Sequence, residues 1–238
     1  IVVDGIVPTV TNVSSSTDNG SYKINDNITV TVTFSENVIV DNSSGNPRIQ
    51  LAARSDNNSY ANYVSGNSTS ILSFLYAVQS GDNSSDLDYK ATSSLSANGG
   101  TIRDNASNNT TLTLASPGAS GSIGANKSIV IDGILPTVDN VSSSTSDGRY
   151  FTGDNITITV GFDENVYVDN SSGNPRIQLE TGTNDRYANY VSGNSTKILS
   201  LLYTVQSDDN SSDLDYKATN SLSTNNGTIR DSAGNDAA

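Results

Sequence analysis

"NITVTVTF", Asn27 to Phe34, decides the fold class. Successive side chains of an extended chain point to opposite faces, so Ile28, Val30, Val32 and Phe34 fall on one side and Thr29, Thr31 and Thr33 on the other. That period of two predicts a strand buried on one face. "NITITVGF", Asn155 to Phe162, repeats it with Ile156, Ile158, Val160 and Phe162. "ILSFLYAVQ", Ile71 to Gln79, alternates likewise through Leu72, Phe74, Tyr76 and Val78. No run of helix formers carries a 3.6-residue apolar stripe, and clusters of Ser, Asn and Gly interrupt the chain at strand-and-turn spacing. The expectation is about seven strands per unit, near 8–15, 27–35, 47–53, 59–65, 70–79, 86–95 and 127–132, with short extras near 38–40, 101–103 and 111–114. Short strands without helices predict an all-β fold of tandem antiparallel immunoglobulin-like β-sandwich domains.

The chain says nearly everything twice. Val13–Leu51 returns as Val141–Leu179 without insertion or deletion, and Tyr60–Asn108 returns as Tyr187–Asn235 after one residue is lost. Solenoid repeats run roughly 20 to 50 residues, so a period near 128 fits a domain with its own core. The expected division is 5–132 for the first repeat and 133–238 for the second. The second stops before any counterpart of "SIVID" (Ser128–Asp132). "IVVD" at 1–4 copies "IVID" at 129–132 and is expected to complete a preceding or neighbouring unit.

Composition excludes several chemistries. There is no Cys, His, Met or Trp. Triads of the Ser-His-Asp or Cys-His kind and His-bound zinc are therefore excluded, and no disulfide holds the fold. A carboxylate pair could serve a glycosidase, but the acids lie in two near-identical copies, and no Trp is present to stack on a sugar. The expectation is no enzyme. A charge of −13 with 12 Lys plus Arg argues against nucleic acid, and no apolar run reaches membrane-spanning length. A chain without Met is expected to be a processed or excised segment.

"VSSST", "GDNITITVGFDENV", "VQSGDNSSDLDY", "NGGTIRD", "DSAGN" and the joint "IVIDGILPTV" resemble the tandem immunoglobulin-like, cadherin-like repeats of very large prokaryotic cell-surface proteins, including adhesins and surface-layer or extracellular filament components. The resemblance covers nearly the whole chain. It implies an extracellular β-sandwich strung end to end, often with calcium at the joints, and it implies no particular ligand.

Topology suggests where the acids meet. With strands alternating up and down, Glu36 in "FSEN" and Asp104 and Asn108 in "RDNASN" fall at the end that receives Asp4. The same logic places Asp132, Glu164, Asp231 and Asn235 at the corresponding end of the second repeat, with Asp82, Asp86 and Asp88 at the opposite end of the first. Carboxylates with Asn and carbonyl oxygens suit calcium, which takes six to eight oxygens. Asp, Asn and Gly also build such turns without any metal.

Asn-X-Ser/Thr occurs more often than the abundance of its residues alone would give. Asn67, Asn194, Asn83 and Asn210 recur in predicted turns of both copies and are the leading glycan sites, with Asn42 and Asn170 next. Tyr76 and Tyr203, on the apolar side of strands, are expected in the core rather than on a sugar-binding face. Arg48 and Arg176 are expected at the surface or at a strand edge.

These readings predict a structural, extracellular building block of a surface filament or surface layer, joined to copies of itself head to tail. Donation of Ile1, Val2, Val3 and Asp4 into the incomplete second repeat of a neighbour is one route to polymerisation. The alternatives are a calcium-rigidified spacer of a long adhesin and a carbohydrate-binding module whose partners are cell-surface glycans.

Overall fold

The computed structural model describes residues 3–56 and 58–237. Two compact units divide between Ile134 and Leu135, two residues past the expected boundary. Unit 1 contains β1 (Val10–Ser15), β2 (Gly20–Tyr22), β3 (Asn27–Asp41), β4 (Arg48–Gln50), β5 (Tyr60–Ser65), β6 (Thr69–Ala77), β7 (Asn83–Ser84), β8 (Leu95–Ser96), β9 (Thr101–Arg103), α1 (Ile123–Asn126) and β10 (Ile129–Asp132). Unit 2 contains β11 (Val138–Ser143), β12 (Asn155–Asp169), β13 (Arg176–Leu179), β14 (Arg186–Ser192), β15 (Thr196–Thr204), β16 (Leu222–Ser223) and β17 (Thr228–Arg230). The all-β class is as expected.

The main sheet of unit 1 runs β1-β3-β6-β5-β4-β8, with β9 on the far half of β3, and unit 2 repeats it as β11-β12-β15-β14-β13-β16 with β17 on β12. Every pairing in these sheets is antiparallel. Ile28, Val30 and Val32 face Tyr76, Phe74 and Leu72 in register, and all six are buried. Alternation in the sequence thus becomes one wall of the core.

β3 does more than its predicted span. The strand expected at 27–35 and the extra at 38–40 form one continuous 15-residue strand. Its register slips between Thr33 and Val38, after which it leaves β6 for β9. Glu36 therefore lies in a bulge, not in the loop expected for "FSEN". Bulges re-aim side chains in this way.

Three smaller expectations fail for physical reasons. Residues 86–95 form only the ends of ladders, with Tyr89 held to Leu51 by one isolated bridge. Residues 111–114 form no strand, and Thr111 makes a single parallel bridge to Thr9. A one-turn helix appears at Ile123–Asn126, too short to show a stripe, where Ser122 caps it by accepting from Ala125 N.

Gly45 and Gly173, in the "SSGNP" of both copies, are needed for close packing. A Cβ at Gly45 would lie 1.9 Å from the Asn98 carbonyl oxygen, and one at Gly173 1.8 Å from that of Asn225. Neither turn could accept a larger residue without moving backbone.

A second sheet completes unit 1. β10 runs parallel to β2 and antiparallel to β7, with Ile129 opposite Gly20 and Ile131 opposite both Tyr22 and Ser84. Ile129 and Ile131 are fully buried against the main sheet. No such sheet occurs among the described residues of unit 2.

Candidate metal centre

In unit 1, Asp4, Glu36 and Asp104 each bring a carboxylate oxygen within 4.8 Å of the others. Three different local structures hold them. Glu36 projects from the β3 bulge. Asp104 opens the tight turn after β9, where its N–H donates to the Asn108 carbonyl (3.1 Å) and Ser107 takes a positive φ of 75°. Asp4 is exposed, and its carbonyl accepts from Asn108 Nδ2 (3.2 Å). Asn108 also donates to Asp104 from its backbone N–H (2.8 Å) and its Nδ2 (2.7 Å).

The electrostatics differ within the trio. Burial pushes the Asp104 carboxyl up, but hydrogen bonds from the Asn108 side chain and the turn's N–H groups outweigh it and hold the group below its ordinary value. Burial, then the charges of Asp4 and Asp104, push Glu36 above its ordinary value. A raised acid keeps its proton longer when folded, so its contribution to stability falls as pH rises through the window above the ordinary glutamate pKa. A divalent cation would reverse that penalty by neutralising the repulsion. Three carboxylates with nearby Asn and carbonyl oxygens could hold a metal ion.

The repeat gives unit 2 the same positions in Glu164, Asp231 and Asn235. The turn after β17 is built alike: Asp231 is buried and accepts from Gly234 N (2.7 Å), Asn235 N (2.8 Å) and Asn235 Nδ2 (2.7 Å). Gly234, with φ at 92°, replaces Ser107. Asp132 ends β10 and accepts from Ile134 N (3.2 Å).

Asp86 and Asp88 are not part of the unit 1 trio. Asp88 is nearly buried and accepts from Tyr89 N and Gly118 N, both at 2.8 Å, so it anchors the segment leading to β10. Asp82 is 1% exposed and acts as a hub. It accepts from Arg54 Nε (3.1 Å), Gln79 N (2.7 Å) and the Tyr76 hydroxyl. Burial and the Asp82 contact push the Tyr76 hydroxyl well up. Asp209 repeats the hub with Arg186, Gln206 and Tyr203.

Tyr76 and Tyr203 are core residues, as expected. Arg48 corrects its expectation. β4 is paired on both sides, so Arg48 guards no edge; its guanidinium stacks 4.1 Å from the centre of the Tyr60 ring, and Arg176 stacks 4.0 Å from that of Tyr187.

The six leading sequon positions, Asn42, Asn67, Asn83, Asn170, Asn194 and Asn210, are all exposed. Asn67 Oδ1 accepts from Val40 N and Asn194 Oδ1 from Val168 N, each at 2.8 Å, which fixes both side chains in their turns. The sequon at Asn57 lies outside the described residues. So do Ile1 and Val2 of the donor segment. Val3 is 88% exposed, while Asp4 is tied to its own unit through Asn108.

No protein-family model matches the sequence, and a comparison with curated proteins gives no match either. Among the described residues, no helix is long and apolar enough to cross a membrane.

Proposed function

We propose that the chain is a structural, extracellular building block in which immunoglobulin-like units follow one another end to end in a surface filament or surface layer. The observation carrying this reading is that β10, the strand closing unit 1, is separated from β11, the first strand of unit 2, by only Gly133–Thr137. A short connection between repeated units suits a mechanical role more than a catalytic one. Exposed sequons and the excess of acid support an extracellular setting.

A second reading is favoured by the Asp4–Glu36–Asp104 trio: a spacer of a long adhesin, rigidified by calcium. One experiment separates the two. The purified chain at micromolar concentration is imaged by electron microscopy and melted, each in calcium and in chelator. Filaments in both conditions support the building block. Monomers whose melting temperature falls in chelator, with the fall abolished by Asp104→Asn, support the spacer. Monomers indifferent to calcium contradict both.

A further inference from the structure

Unit 1 has no Asp or Glu in β1, β4, β5, β6 or β8, nor in β3 before its bulge. In a chain with 25 acids and a net charge of −13, a whole sheet is thus left without a carboxylate. The inward side chains of these strands are core. The outward ones place Thr29, Thr31 and Thr33 of β3 beside Leu75, Ser73 and Ile71 of β6. Ile71 is 47% exposed, Leu75 37%, and Val64, in the β5 bulge opposite Ser73, 52%. Arg48 is the one cation in these strands. Unit 2 repeats the face through Thr157, Thr159, Ser200 and Leu202 with the exposed Ile198 and Val191. Its single acid is Asp139, in the bulge of the edge strand β11.

The other side of the sheet in unit 1 is closed by residues 110–132, which bury Leu114, Ile123, Ile129 and Ile131 against it. The outward face therefore stays open in a unit that has its closing segment.

We infer that this outward face pairs with the same face of a second copy of the chain. Two acidic chains repel wherever carboxylates face one another, and across this face of unit 1 none do. A nucleic acid would need more than one cation. A sugar would be held by stacking on a bare ring, whereas Tyr60 and Tyr187 already carry arginines, at 4.1 and 4.0 Å. Stacked sheets lie about 10 Å apart with their strands within about 30° of parallel. With a two-fold axis along the strands, β6 of one copy covers β5 of the other and β3 covers β4. Leu75 then meets Asn62, its level neighbour in the ladder, Ile71 and Leu75 flank the Val64 bulge, and Arg48 meets the β3 threonines rather than another Arg48. Six strands about 4.8 Å apart and about 20 Å long present roughly 500 Å² per copy. Pairing one unit buries about 1,000 Å² and pairing both about 2,000 Å², from the lower limit of specific interfaces to their usual size.

The test is sedimentation of a protein of residues 1–238 from micromolar to millimolar concentration. Reversible pairs should form. Leu75→Asp with Leu202→Asp, and separately Asn62→Lys with Asn189→Lys, should each weaken pairing at least about tenfold, because each sets a charge against an uncharged partner. Mixing the two variants should restore pairing, since each introduced carboxylate then meets an introduced ammonium. The four side chains lie on the surface, so the melting of both units should stay in place, which separates lost pairing from lost folding. Monomers at every concentration, pairing unchanged by either variant, or no recovery in the mixture overturns the inference. Binding of a neutral polysaccharide that is lost in Leu75→Asp/Leu202→Asp, with the parent protein monomeric, assigns the face to a glycan and likewise overturns it. This contact deepens the building-block reading by adding side-by-side to end-to-end association, and the two fail separately: filaments without pairing overturn this inference alone, and pairing without filaments counts against that reading alone.

Discussion

Calorimetry of a protein made of residues 1–238 should show two transitions, with unit 2 melting first by roughly 10 °C or more. Among the described residues, twenty-three buried apolar side chains form the core of unit 1 and eleven that of unit 2. Fully burying a Leu, Ile or Val is worth about 1.5–3 kcal/mol. Leaving Val141, Ile156, Leu214 and Tyr216 about half open therefore forfeits roughly 3–6 kcal/mol, less what unit 1 loses in ordering its closing segment. A difference of about 3 kcal/mol shifts the midpoint of a domain this size by roughly 10 °C. A single coincident transition, or unit 1 melting first, would contradict the assignment of the closing segment.

Ile131→Asp should have the largest effect of any single change in unit 1. Ile131 is fully buried between β2 and β7. The substitution removes a packed side chain, worth about 2–5 kcal/mol, and puts a carboxylate where water is excluded. The second sheet should open, because among the described residues β2 and β7 form ladders only with β10. The upper calorimetric transition should then drop toward that of unit 2, while the lower stays in place. An unmoved upper transition would show that β10 does not close unit 1.

Much of this architecture was legible in the residues, and the failures have identifiable causes. Alternation in Asn27–Phe34 and Ile71–Gln79 marked the two longest strands because one face of each is core and the other is not. The repeat marked the two units because whole strands recur in order. β2 and β7 were not legible: "GSY" and "NS" have weak strand preference and become strands only through β10. The same dipeptide, Asn210–Ser211, stays irregular in unit 2, where no strand among the described residues pairs with it. Tertiary context, not propensity, decides such segments.

The acid trio was partly legible. Asp4, Glu36 and Asp104 were placed together by strand direction alone, although Glu36 reaches the site from a bulge rather than a loop. The hub at Asp82 was not legible, since it depends on a half-buried arginine that the repeat does not reveal. Arg54 lies six residues before Tyr60, whereas Arg186 immediately precedes Tyr187. Two non-equivalent positions thus supply the same guanidinium to Asp82 and Asp209. A repeat alignment pairs residues by order and cannot see a substitution of that kind.

Hydrogen exchange at two equivalent amides in one molecule tests the central claim most directly. Leu87 N–H is donated to the Ile129 carbonyl at 2.8 Å, inside a closed unit, whereas Leu214 borders an open face. If residues 110–132 are what closes unit 1, the Leu87 amide should exchange at least about 100-fold more slowly than that of Leu214 in a protein of residues 1–238. Equal exchange of the two amides would contradict that role for the segment.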